Sequence, residues 1–162
     1  MVTNKDLQIN LVSRKYPKNI QDLIKRFRRP YPTDIEYIRR LDKEYDIIRD
    51  KGFVDTFQRV SDIIDLIKQK NIPHVLRGSA ASSLVCYQLG ISDIDPIKEK
   101  IPLTRFMNLC RDTQPDVDLD VPHWIRDLLI DEFHEKHPNK VARISNKVMY
   151  KPKSAMREAI RK

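Results

Sequence analysis

The chain has 162 residues, with 31 Lys and Arg, 23 Asp and Glu, and a net charge of +8. That length allows one domain with a real core, or one domain plus an arm. Cys86 and Cys110 are too few for a disulfide framework and read as reduced thiols. No apolar run approaches ~18 residues, and the N-terminus has no apolar signal core. The expectation is a soluble cytoplasmic protein without a membrane span.

The charge is unevenly spread. Residues 1–30 sum to +6, residues 140–162 to +7, and the residues between them to −5. Basic ends around an acidic centre suit a protein that holds phosphates at its flanks and metals in its middle. A solvated, lysine-rich surface explains either basic segment equally well.

Within the basic N-terminal arm, residues 1–30, Ile20, Leu23, Ile24 and Phe27 recur at helical spacing. Pro30-Tyr31-Pro32 then reads as an extended link. Thr33 followed by Glu36 has the form of a capping box and opens a second helix. Ile35, Ile38, Leu41, Tyr45 and Ile48 form its apolar stripe, and Gly52 stops it. A third helix covers about 54–70, with Phe57, Val60, Ile63, Ile64 and Ile67 inward. These helices read as scaffold.

His74-Val75-Leu76 reads as a short buried strand. Arg77-Gly78-Ser79 turns the chain into a helix running from Ala80 to Leu89, closed by Gly90. The first N–H groups of a helix lack internal partners and the dipole is positive there. Phosphate binds readily at such an end, and Gly78 would let the backbone approach it. Taken alone, a Gly-Ser turn is weak evidence for phosphate, because Ser79 is first of all an ordinary N-cap residue.

The segment Pro115-Asp116-Val117-Asp118-Leu119-Asp120-Val121 alternates strictly. In a strand the three aspartates share one face and Val117, Leu119 and Val121 share the other. The apolar face can sit on a core, and the acidic face calls for something cationic. Two divalent metals held by shared carboxylates meet that need in polymerases and nucleases. After Pro122 comes a helix with Trp124 or Ile125, Leu128, Leu129 and Phe133 apolar, and Trp124 is expected in the core. His137-Pro138-Asn139 is a turn. Val141-Ala142-Arg143-Ile144 reads as a second strand beside the aspartate strand. In the final helix Lys153, Arg157 and Arg161 line one face, a shape suited to phosphate contact and also to plain solvation.

Taken together, these residues resemble a known family. Arg77-Gly78-Ser79-Ala80-Ala81-x-Ser83-Leu84-Val85-x-Tyr87-x-Leu89-Gly90-Ile91-x-Asp93-Ile94-Asp95-Pro96 is similar to the palm motif of the bacterial C-family DNA polymerases, the polymerase III alpha subunits. Arg105-Phe106-x-Asn108-x-x-Arg111 and Pro115-Asp116-x-Asp118-x-Asp120 resemble the next stretch. Upstream, Arg40-Leu41 through Glu44-Tyr45 and Gly52-Phe53 match as well. Downstream, Arg126, Val141-Ala142, Ile144, Lys153 and Arg157 continue the likeness, which covers about residues 38–161.

The resemblance implies an α+β fold, a polymerase-beta-like nucleotidyltransferase palm with a small mixed sheet packed with helices. It implies a palm core over 31–145 and a basic C-terminal helix over 146–162. Asp116 and Asp118 would bind two catalytic Mg2+ ions, with Mn2+ as a substitute, and Asp120 would be a neighbour. Arg77, Gly78 and Ser79 would sit at the incoming triphosphate, and Lys153 and Arg157 on a basic helix beyond the palm. Primer-template DNA and dNTP would be the partners, along with other polymerase segments. Those would supply the fingers and a third catalytic aspartate, which the family carries on a later strand.

The chain departs from the family pattern in places. Ser82 replaces a glycine, His74-Val75-Leu76 replaces a glycine-rich run, and Asn146-Lys147-Val148-Met149 replaces a Thr-Phe-Gly-Thr-like loop. Two other readings stand beside the polymerase core. One is a binding module for nucleic acid, nucleotide or a polymerase partner, which would use the basic arms. The other is a small stand-alone nucleotidyltransferase, for which Ser92-Asp93-Ile94-Asp95 mimics a metal motif. That segment follows a helix-closing glycine and precedes a proline, which is turn chemistry. His134-Glu-Lys-His137 is one residue short of a zinc-helix spacing.

Overall fold

The computed structural model describes residues 15–110, 113–145 and 149–161. The first fourteen residues of the expected arm, Arg111, Asn146-Lys147-Val148 and Lys162 lie outside the described residues. The chain divides into two compact units, Met1–Pro122 and His123–Lys162.

The first unit opens on α1 (Lys18–Lys25), whose Ile20, Leu23 and Ile24 are buried. Their spacing places them on one face, and that face rests on the later helix α3 (Val54–Gln69). Tyr16 and Phe27 join the same core. The described part of the basic arm is therefore packed structure. Its cations are also engaged at the surface: Arg26 pairs with Asp62 at 2.5 Å and Arg28 pairs with Asp65, both on α3.

Helix α2 (Ile35–Asp50) is capped by Asp34, whose Oδ1 accepts from the Glu36 amide at 2.7 Å. Thr33 was the expected cap. The aspartate one residue later reaches the free amide and adds a negative charge at the positive helix end. Leu41, Tyr45 and Ile48 are buried as the stripe requires, whereas Ile35 is exposed. Gly52, with φ +68, ends the helix. Its amide donates to Arg49 O, and the Phe53 amide donates to Ile48 O at 2.9 Å. This is the Schellman arrangement, which needs a left-handed residue. Phe53 is buried at the corner and stands at the N-cap of α3.

After α3 the chain enters β1 (Val75–Arg77), which pairs antiparallel with β2 (Asp118–Asp120). Among the described residues these two strands are the sheet, so the fold is α+β with an antiparallel pair where a mixed sheet was expected. Two further expectations are corrected. β1 is not a buried strand, because Val75 is 66% exposed. Only Leu76, opposite Leu119, turns toward the core. Residues 141–145 are not in a strand, and Ile144 is 96% exposed.

The expected continuous helix from Ala80 is also divided. Gly78–Ser82 is a 3-10 turn, and α4 runs only over Leu84–Gln88. Ser83 has extended backbone angles, and its hydroxyl accepts from the Cys86 amide at 3.1 Å. Ser83, rather than Ser79, is thus the cap. Burial pushes the Cys86 thiol up to about 12, whereas Cys110 is exposed. Titration of the native protein with a thiol reagent near pH 8 should therefore label Cys110 alone, with Cys86 reacting only after denaturation.

The second unit holds α5 (His123–Lys136) and α6 (Pro152–Arg161). Leu129 is the buried position of α5. Trp124, expected in the core, is 74% exposed with its ring edge-on to His123. Five residues at about 100° each turn it roughly 140° away from Leu129. On α6 none of the described side chains is buried.

Candidate functional site

β2 does what its alternation requires. Val117 and Leu119 pack against the core, and Asp116, Asp118 and Asp120 are exposed on the opposite face. Residues two apart on a strand lie roughly 7 Å apart at the backbone, and their side chains emerge on one side. Carboxylates at Asp116 and Asp118 can therefore converge on one ion. No cation among the described residues pairs with either of them. Among those residues no three His, Cys, Asp or Glu side chains are grouped to enclose a metal. A pair of hard oxygen donors still fits Mg2+, which keeps several waters and is commonly held by one or two carboxylates plus substrate phosphates.

Asp120 is different, because Arg77 Nε lies 3.1 Å from its Oδ2. The register places Arg77 directly opposite Asp118 and Val75 opposite Asp120, so the ion pair is a diagonal one across the ladder. Both side chains are more than half exposed. Such a pair is worth at most about 1 kcal/mol, so Arg77 can exchange it for a stronger anion at little cost.

Gly78 follows with φ +82. A Cβ built there would lie 3.1 Å from Asp118 Oδ2. Glycine is needed on two counts: the left-handed backbone and the carboxylate against it. The turn residue and the aspartate strand thus meet at this point. Ser79 is half-buried, and its carbonyl accepts from the Ser82 hydroxyl at 2.7 Å.

The start of α4, capped at Ser83 and lying beyond the turn at Gly78–Ser79, is already occupied. Glu44 on α2 is fully buried. Its Oε1 accepts from the Leu84 amide at 2.8 Å and from Arg40 Nε at 2.9 Å. Its Oε2 accepts from the Ser83 hydroxyl at 2.7 Å and the Val85 amide at 3.0 Å. Burial pushes the Glu44 carboxyl up, and these bonds together with the Arg40 charge act against it. Sequence reasoning missed this carboxylate. The signal was a glutamate at the position between Leu41 and Ile48 on an otherwise apolar stripe.

Asp93 and Asp95 are both engaged by other groups. Asp93 pairs with Arg29 at 3.0 Å. Asp95 accepts from the Tyr37 hydroxyl at 2.8 Å and from the Ile97 and Lys98 amides, an Asx-type turn. Of the cations near the start of the chain, Lys15 pairs with Asp42 and Lys25 with Asp22. Lys153 and Arg157 are exposed on α6, one turn apart, in the second unit.

Residues 10–162 match the family described as the bacterial DNA polymerase III alpha NTPase domain. The chain is 44% identical over 126 residues to DNA polymerase III subunit alpha of Ureaplasma parvum, covering 75% of this chain and 13% of that protein. It is 38% identical over 129 residues to the alpha subunit of Thermotoga maritima, covering 79% and 15%. Against an error-prone DNA polymerase of Cutibacterium acnes the identity is 38% over 120 residues, covering 74% and 11%. The chain thus spans between 11% and 15% of the length of these relatives.

Proposed function

The chain belongs to the bacterial DNA polymerase III alpha family, and on that premise we propose that β2 and the Arg77–Ser79 turn form the metal- and nucleotide-binding part of a polymerase palm. The reaction would join a dNTP to a primer 3′-hydroxyl on template DNA, in the cytoplasm. Fingers and a third carboxylate would come from other polymerase segments. The observation that carries this reading is the closeness of Asp118 to Gly78, where a Cβ would lie 3.1 Å from Asp118 Oδ2, so that a backbone turn stands beside the carboxylate.

Each residue then has a task. Asp116 and Asp118 hold Mg2+ through their oxygens. When bound, the metal makes the primer hydroxyl a better nucleophile and offsets charge on the departing pyrophosphate. Gly78, lacking a side chain, lets the turn lie close to the Asp118 carboxylate, so that a nucleotide held by the turn would be near the metal. Arg77 leaves Asp120 to meet the triphosphate, and Asp120 keeps it on the correct face until then. Lys153 and Arg157, in the second unit, would by themselves offer a basic helix face to phosphate.

The two other readings draw less support. In the described part of the N-terminal basic segment, Lys15, Lys25, Arg26, Arg28 and Arg29 each face an aspartate. A module using that segment would first exchange these surface pairs, which are individually weak. A stand-alone transferase using Asp93 and Asp95 would have to release Arg29 from Asp93 and break the turn that Asp95 holds.

Calorimetric titration with dATP tests the proposal. Binding in Mg2+ or Mn2+ that disappears in EDTA is expected, and binding indifferent to EDTA would contradict it. Gly78→Ala probes that closeness. A non-glycine residue in the left-handed region costs about 1–2 kcal/mol. Its methyl would also press on Asp118, so dATP affinity should fall by roughly tenfold, the equivalent of about 1.4 kcal/mol.

A further inference from the structure

We infer that Glu44 and Arg40 are positioning residues that set the Gly78–Ser82 turn against the aspartate strand; the inference rests on reading that turn as the nucleotide site. The turn has two anchors. At one end, Arg77 is in register with Asp118 through the strand ladder. At the other end, Arg40 Nη2 donates to Ser82 O at 2.6 Å, and Glu44 gathers Ser83, Leu84 and Val85. Between the anchors, the Ser82 hydroxyl ties back to Ser79 O, and the Ser83 amide to Ala80 O at 3.1 Å. The second anchor therefore reaches Ser79 through the hydrogen bonds of the turn itself. Arg40 also donates to Ile101 O at 3.2 Å, fastening the loop that follows.

Burying a carboxylate and a guanidinium is a poor route to stability, because desolvation offsets most of the attraction and apolar side chains of similar volume do as well. What the pair supplies is geometry. Two oxygens with four donors hold three consecutive residues in one place relative to α2. The demand for such accuracy lies in the site. Misplacement by about 1 Å can cost ~100-fold in a reacting constellation, and a Cβ at Gly78 would already lie 3.1 Å from Asp118 Oδ2.

The test uses Glu44→Gln, which keeps the shape but places an amide N–H₂ where two donors met a carboxylate, and Arg40→Lys, which keeps the charge but loses the fork to Ser82 and Ile101. Three quantities are measured on each variant and on the unmodified chain: Mn2+ affinity alone, Mn2+-dATP affinity, and hydrogen exchange of individual amides. The expected result is Mn2+ affinity within about twofold, dATP affinity reduced by roughly tenfold or more, and faster exchange confined to amides 79–85. Core amides of α1 and α3 should exchange as before. Unchanged exchange at 79–85, or wild-type dATP affinity in both folded variants, overturns the inference, as does acceleration spread evenly over the core. If the unmodified chain binds no dATP, the nucleotide reading fails, and the exchange pattern still decides whether Glu44 and Arg40 hold the turn.

Discussion

Asp118→Asn is expected to weaken Mn2+-dependent dATP binding by more than about 100-fold. Residues that only support metal ligands are worth about 10- to 100-fold in affinity, so loss of a direct carboxylate ligand should cost more. Asparagine keeps the size and removes the charge, and strand pairing with Arg77 uses backbone groups only. Folding should therefore survive, and circular dichroism with a thermal melt checks that it does. Asp120→Asn is the matched control. It carries the same charge change on the same strand face, but it only releases Arg77, so a change of a few-fold is expected. Affinity measured by manganese electron paramagnetic resonance with increasing dATP distinguishes the two. Equal losses in both variants would mean that the strand acts through net charge alone.

Leu23→Ala is expected to cost about 2–5 kcal/mol of stability, the range for large-to-small changes in a packed core. That corresponds to a drop in melting temperature on the order of 10 °C. The side chain is fully buried, with Ile20 and Ile24 beside it. A loosely attached basic arm would show almost no change, since substitutions at exposed positions stay within about 0.5 kcal/mol. Ile35→Ala, at a position 60% exposed, supplies that comparison. Denaturant melts of both variants give the difference directly.

The local features were the ones readable from sequence. Ile20, Leu23, Ile24 and Phe27 place themselves on one face by spacing alone. Gly52 and Gly90 end helices because the left-handed turn that closes a helix favours glycine. The period of two in Asp116–Val121 separates acid from apolar side chains whatever the surroundings. What escaped depended on distant partners. β2 pairs with β1, a partner about forty residues earlier in the chain, with Leu76 opposite Leu119, whereas residues 141–144 are not in a strand. The helix expected from Ala80 is broken at Ser83, where a carboxylate from α2 takes the amides of α4. Nothing in the residues 79–89 records that partner. The match of Arg77 with Asp120 also needed the register, which neither segment holds by itself. Motif likeness pointed to Asp116, Asp118 and Gly78, and the closeness of Gly78 to Asp118 is the part that only three dimensions supply.

The most direct measurement is anomalous diffraction at the manganese edge from crystals grown with Mn2+ and dATP. The account predicts manganese between the carboxylates of Asp116 and Asp118, with phosphate density beside Gly78 and Ser79. Manganese bound instead at Asp93 and Asp95, or nucleotide ordered far from β2 with the two carboxylates turned apart, would contradict it.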